Sequence, residues 1–152
     1  MHTSVSIITD EIFHYLKKGA IPPYLPESNA QNGVVIEAFL ETAKRFVRGG
    51  YDVYVDGIVG PWFLEPWLGA ARKGYEVHYI VLRASREITL RRAVERSKLD
   101  LKTNTELVEV MWEQFCDLGK YEANVIDTTE QTVSETVQSI KAHLKSGQNR
   151  IK

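Results

Sequence analysis

The sequence predicts an α/β fold of three layers, α/β/α, with a parallel sheet of about four strands between helices. Three observations carry that prediction. Four short apolar runs, at residues 4–9, 51–57, 76–82 and 124–127, alternate with stretches whose apolar residues recur at helical spacing. Short apolar strands alternating with amphipathic helices are the signature of a parallel sheet covered on both faces. The 152 residues, 43% apolar and 26% charged, are enough chain to bury a core and ordinary for a globular protein. No repeat, low-complexity segment or linker divides them, so residues 1–146 read as one domain and 147–152 as a flexible tail.

The elements follow in order. Residues 4–9 (SVSIIT) form a strand ending at Asp10, and 11–17 a short helix stopped at Gly19. Residues 20–31 (AIPPYLPESNAQ) hold three prolines and no period, and read as an ordered loop or broken helix. Val35, Phe39, Ala43 and Phe46 stripe a helix that Gly49 and Gly50 close. Residues 51–57 (YDVYVDG) are the second strand, and Pro61 opens a helix over 62–73. The third strand is 76–82 (EVHYIVL). Ser85 caps a helix over 86–97. A polar loop at 98–104 precedes a helix marked by Leu107, Met111, Phe115 and Leu118. The fourth strand is 124–127 (NVID), and Val133, Val137, Ile140 and Leu144 stripe the last helix.

Charge and cysteine content exclude several classes. Nineteen Lys and Arg against twenty Asp and Glu leave a net charge of −1, so no global basic field points to nucleic acid. The single Cys116 excludes an intramolecular disulfide and a Cys-rich zinc site. With no signal peptide ahead of Thr3, a reducing cytoplasm is expected. No apolar run approaches the roughly eighteen residues that span a bilayer, so no membrane partner is expected.

Chemistry is expected at the carboxyl ends of the strands, where open α/β sheets gather ligands. Asp10, Asp56 and Asp127 each stand at such an end. A carboxylate there can take a proton from a hydroxyl or hold Mg²⁺ through water; it can equally cap a helix or close an Asx turn. For Asp127 the Asx turn or cap is the expected use. Residues 83–102 carry seven basic and three acidic side chains, a local charge of +4. Arg92 and Arg96 lie four apart, on one helix face, and guanidinium forks suit phosphate oxygens; an exposed basic helix with no ligand is the alternative. No aromatic residues interleave the basic ones as a nucleic-acid surface would need. Trp62, Phe63 and Trp67 either wall a pocket or pack helix on sheet. His14 and His78 have no partner at metal spacing and read as structural, and Cys116 reads as inert.

The order TDEIFHYL, VVIEAFLETAKRFVRGGYDVYVDGIVG, YEVHYIVLRASREITLRRAVERSK and NVIDTT resembles the small P-loop kinase-like ATPases. That group includes shikimate and gluconate kinases, chloramphenicol phosphotransferase and the zeta toxins. The likeness spans residues 4–144, and the order of the motifs is more specific than any one of them. It implies an ATP- and Mg²⁺-dependent transfer to a small hydroxyl-bearing molecule. Asp10 matches the acid that contacts the acceptor hydroxyl as base. Asp56 matches the acid near Mg²⁺, through water. Arg92 and Arg96 match the pair that enters the lid, here residues 97–104, and contacts ATP phosphates. Asp127 and Thr128 would border the nucleotide. The acceptor would be chosen by 20–31 and 61–67, with Tyr24, Trp62 and Trp67 against it.

One departure limits that likeness. The family opens with a strand, then G-x-x-x-x-G-K-[ST], whose amides and lysine cradle phosphates. The only Gly-Lys pair here, Gly119-Lys120, has Gln114 at the first glycine position and Tyr121 in place of Ser or Thr. A strand–loop–helix unit of about thirty residues is therefore missing, either by truncation at the N-terminus or by true loss of phosphate binding. The chain is expected to be inactive alone. Two alternatives stand beside a kinase-like protein: a non-enzymatic ligand-binding module, and an RNA-contacting protein with a basic lid. With the first strand absent, residues 53–56 and 77–82 are expected to pair directly as parallel neighbours through a right-handed crossover.

Overall fold

A computed structural model of the chain describes residues 3–96 and 101–152, and for 96 and 101–104 it describes the backbone alone. The chain is mixed α/β and divides into two compact units, Met1–Tyr75 and Glu76–Lys152.

In the first unit, β1 (Ser4–Ile8) leads into a short α1 (Thr9–Phe13), and α2 (Asn29–Arg48) returns the chain to β2 (Asp52–Asp56). β1 and β2 pair in parallel, with Val5 opposite Val53, Ile7 opposite Val55 and Ile8 opposite Asp56. Alternation sorts their side chains: Val5, Ile7, Val53 and Val55 turn inward, while Ser4, Ser6, Ile8, Tyr54 and Asp56 are exposed. The inward row meets Val35, Ile36, Phe39 and Ala43, which recur on one face of α2 at intervals of one to four residues. Phe39 is the centre of that core, at 1% exposure. Pro61 starts a 3-10 turn (Pro61–Phe63), and α3 (Glu65–Arg72) follows with Pro66 in its first turn. The helix expected over 62–73 thus breaks into two pieces, and α2 begins at Asn29, earlier than the apolar stripe indicates.

In the second unit, β3 (Val81–Arg83), α4 (Arg86–Arg96), α5 (Leu101–Phe115), β4 (Val125–Asp127) and α6 (Val133–Ser146) follow in turn. β3 pairs in parallel with β4, Leu82 opposite Ile126 and Arg83 opposite Asp127. Ser85 caps α4 as expected, its Oγ accepting from the Ile88 amide at 3.3 Å. Thr132 and Glu135 form a reciprocal capping box at the start of α6.

Three expectations need correction. The strands make two separate two-stranded sheets, β1–β2 and β3–β4, not one sheet of four. Among the described residues no ladder joins 53–56 to 77–82. Second, 147–152 is no frayed tail. Gly147, at φ +70, takes the left-handed turn that sends the chain back from α6. The Asn149 carbonyl then accepts from the Tyr79 amide at 2.9 Å, and the Ile151 amide donates to the Val77 carbonyl at 3.0 Å. His78 and Arg150 form the antiparallel bridge between them, with Asn149 fully buried and Ile151 at 6% exposure. Backbone groups of 77–79 are therefore taken by the end of the chain, and β3 starts only at Val81. Third, α5 starts at Leu101, so 101–104 are helical rather than a polar loop; 97–100, the rest of the expected lid, lie outside the described residues.

Candidate functional site

The parallel pairing of β1 and β2 brings Asp10 and Asp56 to the same end of one small sheet. Asp56 is the last residue of β2 and pairs with Ile8; Asp10 stands two residues beyond Ile8, in the first turn of α1. Both carboxylates are exposed, and neither has a hydrogen bond or ion pair among the described residues. Thr9, just before Asp10, is buried at 4% exposure. A Cβ at Gly57 would overlap the Thr9 hydroxyl, so only glycine lets the loop after β2 run this close to the end of β1. The result is a pair of exposed carboxylates, without partners among the described residues, on a tightly packed strand end. They can accept a hydrogen bond or proton from a ligand hydroxyl, or hold a hydrated cation.

The aromatic residues divide between the two uses that the sequence leaves open. Trp67 packs into the core, its ring 5.8 Å from that of Phe39. Trp62 is 51% exposed and lies over Gly60, where any Cβ would overlap the indole. Tyr24 is 53% exposed on the loop before α2. A groove of about 420 Å³ runs along α2 and α3, lined by Glu37, Lys44, Glu65 and Lys73 among others, and includes none of Asp10, Asp56, Tyr24 or Trp62.

In the second unit, Arg92, Asp127 and Thr128 meet at the carboxyl end of β4. The Arg92 guanidinium donates to the Thr128 carbonyl at 3.1 Å, and the Thr128 amide donates to the Arg83 carbonyl at 2.9 Å. Asp127 closes the Asx turn expected of it: its Oδ1 accepts from the Thr129 amide at 2.8 Å and the Thr129 hydroxyl at 2.5 Å. Those two bonds, the hydroxyl's first, hold the Asp127 carboxyl below the usual carboxylate range. Thr129 Oγ1 also accepts from the Ser85 amide at 2.8 Å, which ties this turn to the start of α4. The side chain of Arg96 lies outside the described residues.

A second polar cluster in this unit has no counterpart in the sequence reading. Arg83 and Glu122 form a parallel fork, with both Nη–Oε distances 2.9 Å. Arg83 Nη1 also donates to the Phe115 and Cys116 carbonyls at 2.9 and 3.0 Å, capping the end of α5, and Glu122 accepts from the Leu118 amide at 2.7 Å. The Arg83 fork first, and the Leu118 amide second, pull the Glu122 carboxyl down to about 2.

Among the described residues no group of three or more His, Cys, Asp or Glu side chains is arranged to hold a metal ion, and no helix is long and apolar enough to cross a membrane. No protein-family model and no curated protein matches the chain.

Proposed function

We propose that the chain is a P-loop kinase-like phosphotransferase domain that binds a small hydroxyl-bearing molecule at the β1–β2 end and does not turn over ATP by itself. The observation that carries this reading is the pair of unpartnered carboxylates, Asp10 and Asp56, on one parallel strand end. The order of sequence motifs supports it. In this reading Asp10 accepts a hydrogen bond from the acceptor hydroxyl and would be the base for its proton, and Asp56 would hold Mg²⁺ through water. The resemblance assigns Arg92, Arg96, Asp127 and Thr128 to the nucleotide. Mg²⁺, when bound, neutralises phosphate charge, and the free Asp56 carboxylate fits that role. The phosphate chain of ATP finds a poorer fit. The 152 residues contain no G-x-x-x-x-G-K-[ST], and the Arg92 guanidinium already donates to a main-chain carbonyl. No phosphoryl-transfer step is therefore assigned to this chain alone.

Calorimetry with ATP–Mg²⁺ should give weak binding, and a coupled assay no turnover. NMR titration with glycerol, gluconate and shikimate should shift amides next to Asp10 and Asp56. Asp10→Asn should lower that affinity about tenfold, since a hydrogen bond to a charged partner contributes about 1.5–3 kcal/mol. Its thermal stability should stay within about 0.5 kcal/mol, because Asp10 has no partner to lose among the described residues. Low-micromolar ATP binding with robust hydrolysis would overturn the reading, as would probes that shift nothing at this strand end.

A further inference from the structure

Three prolines and no apolar period leave the loop before α2 with little regular structure to hold it. The first residues of the helix reach back and grip it instead. Gln31 Oε1 accepts from the Ile21 amide at 2.9 Å, and Gln31 Nε2 donates to the Ile21 carbonyl at 2.7 Å. One side chain so satisfies both main-chain groups of one residue. Asn32 Nδ2 donates to the Pro23 carbonyl at 2.8 Å, and Ser28 Oγ lies 2.9 Å from the same carbonyl and 2.7 Å from that of Leu25. Ser28 is fully buried and Asn32 is 8% exposed. The Leu25 amide closes a turn on the Pro22 carbonyl at 3.0 Å, with Pro23 fixing φ at the second position. The Asn32 and Ser28 bonds fall on Pro23 and Leu25, the two neighbours of Tyr24, and the Gln31 pair anchors Ile21 at the base of the same turn. Tyr24 itself is half exposed and has no hydrogen bond among the described residues.

We infer that Gln31 and Asn32 are positioning residues that preset the 22–25 turn, so that Tyr24 meets the hydroxyl-bearing ligand in a single pose. The inference rests on the acceptor-binding reading above and deepens it: this loop is a fixed wall of the site rather than a lid. A free proline-rich loop would lose its conformational entropy at the moment of binding, whereas a clamped one has already lost it on folding. Tyrosine suits the part, since its rigid ring offers contact area with two rotatable bonds and its hydroxyl can meet a polar ligand.

The test is a double-mutant cycle between Gln31 and Tyr24, read by NMR titration of the whole chain with gluconate, shikimate and glycerol. Gln31→Ala should raise hydrogen exchange at the Ile21 and Leu25 amides at least tenfold and lower affinity for the binding probe roughly three- to tenfold, the loss expected when pre-organisation goes. Tyr24→Ala should lower affinity by at least as much. Gln31→Ala added to Tyr24→Ala should change affinity no further, because the clamp acts through Tyr24. Gln31→Glu keeps the arm to the Ile21 amide, should fall between, and serves if Gln31→Ala does not fold. Loosened exchange with wild-type affinity would overturn the positioning role while the acceptor reading stood. Fully additive losses in the double variant would do the same. Absence of binding by the wild-type chain to all three probes would overturn the acceptor reading itself, and the role with it.

Discussion

At the scale of single residues, each polar side chain is held over a definite span of chain, three residues for Ser85, two for Asp127 and 39 for Arg83. Ser85 before a helix and Asp127 two residues before Thr129 announce a cap and an Asx turn, because both bonds close within three residues. Asp10 and Asp56 were placed on strand ends by the same local logic. Arg83 and Glu122 are 39 residues apart, and nothing in either neighbourhood marks a partner. Their fork has a consequence for pH. Glu122 ionises at about 2 in the fold against an ordinary value of 4.5. A lowered folded pKa means the unfolded chain binds the proton first, so the stabilisation is complete above about 4.5 and is lost as pH falls toward 2. Urea midpoints measured from pH 7 to pH 2 should therefore fall for the wild type across that window. Glu122→Gln should start lower at pH 7 and decline less, so that the two curves converge near pH 2. Parallel curves would show that the fork stabilises nothing.

At the scale of elements, the helices were foreseen and their ends were not. A stripe such as Val35, Phe39 and Ala43 marks the buried face, but α2 starts six residues before it. Its first turn is polar because Gln31 and Asn32 bind the preceding loop rather than the core. Of the lid expected at 97–104, residues 101–104 are helical for a related reason: the mostly polar LKTN carries no apolar stripe, yet it continues α5 backward from Leu107, and 97–100 lie outside the described residues. The start of α6 did carry a signature, T-x-x-E at Thr132–Glu135, and the capping box it forms satisfies the Thr132 and Glu135 amides reciprocally. Thr132→Ala should thus destabilise the protein by about 1 kcal/mol. Chemical denaturation with an unchanged m-value checks this; Thr132→Ser should restore most of the loss.

At the scale of the molecule, strand composition gave four runs but could not choose their partners. An α/β chain was legible from the alternation of apolar runs and amphipathic stretches, and parallel pairing followed in both sheets. The single sheet of four was not found, because hydrogen-bond partners are settled by competition among segments far apart in sequence. The run 76–82 looks like a central strand, and its first half instead receives the end of the chain, with Asn149 and Ile151 bonded to Tyr79 and Val77. That closure predicts what its removal does. Deleting residues 148–152 takes the Asn149 carbonyl from the Tyr79 amide and the Ile151 amide from the Val77 carbonyl. It also removes the buried Ile151 and the Asn149 contact to His143, where Oδ1 and Nδ1 are 2.8 Å apart. A lost intramolecular hydrogen bond costs about 0.5–1.5 kcal/mol once water replaces the partner, and a domain's whole stability is about 5–15 kcal/mol. The deletion should accordingly lower the denaturation midpoint and expose the amides of 77–83 and 124–127 to hydrogen exchange. It should also leave an open strand edge prone to self-association, seen as concentration-dependent mass in light scattering. Asn149→Ala, which keeps every backbone bond of the closure, should destabilise less and remain monodisperse wherever the wild type does. If the deletion exchanged and sedimented like the wild type, the end of the chain would hold nothing in place.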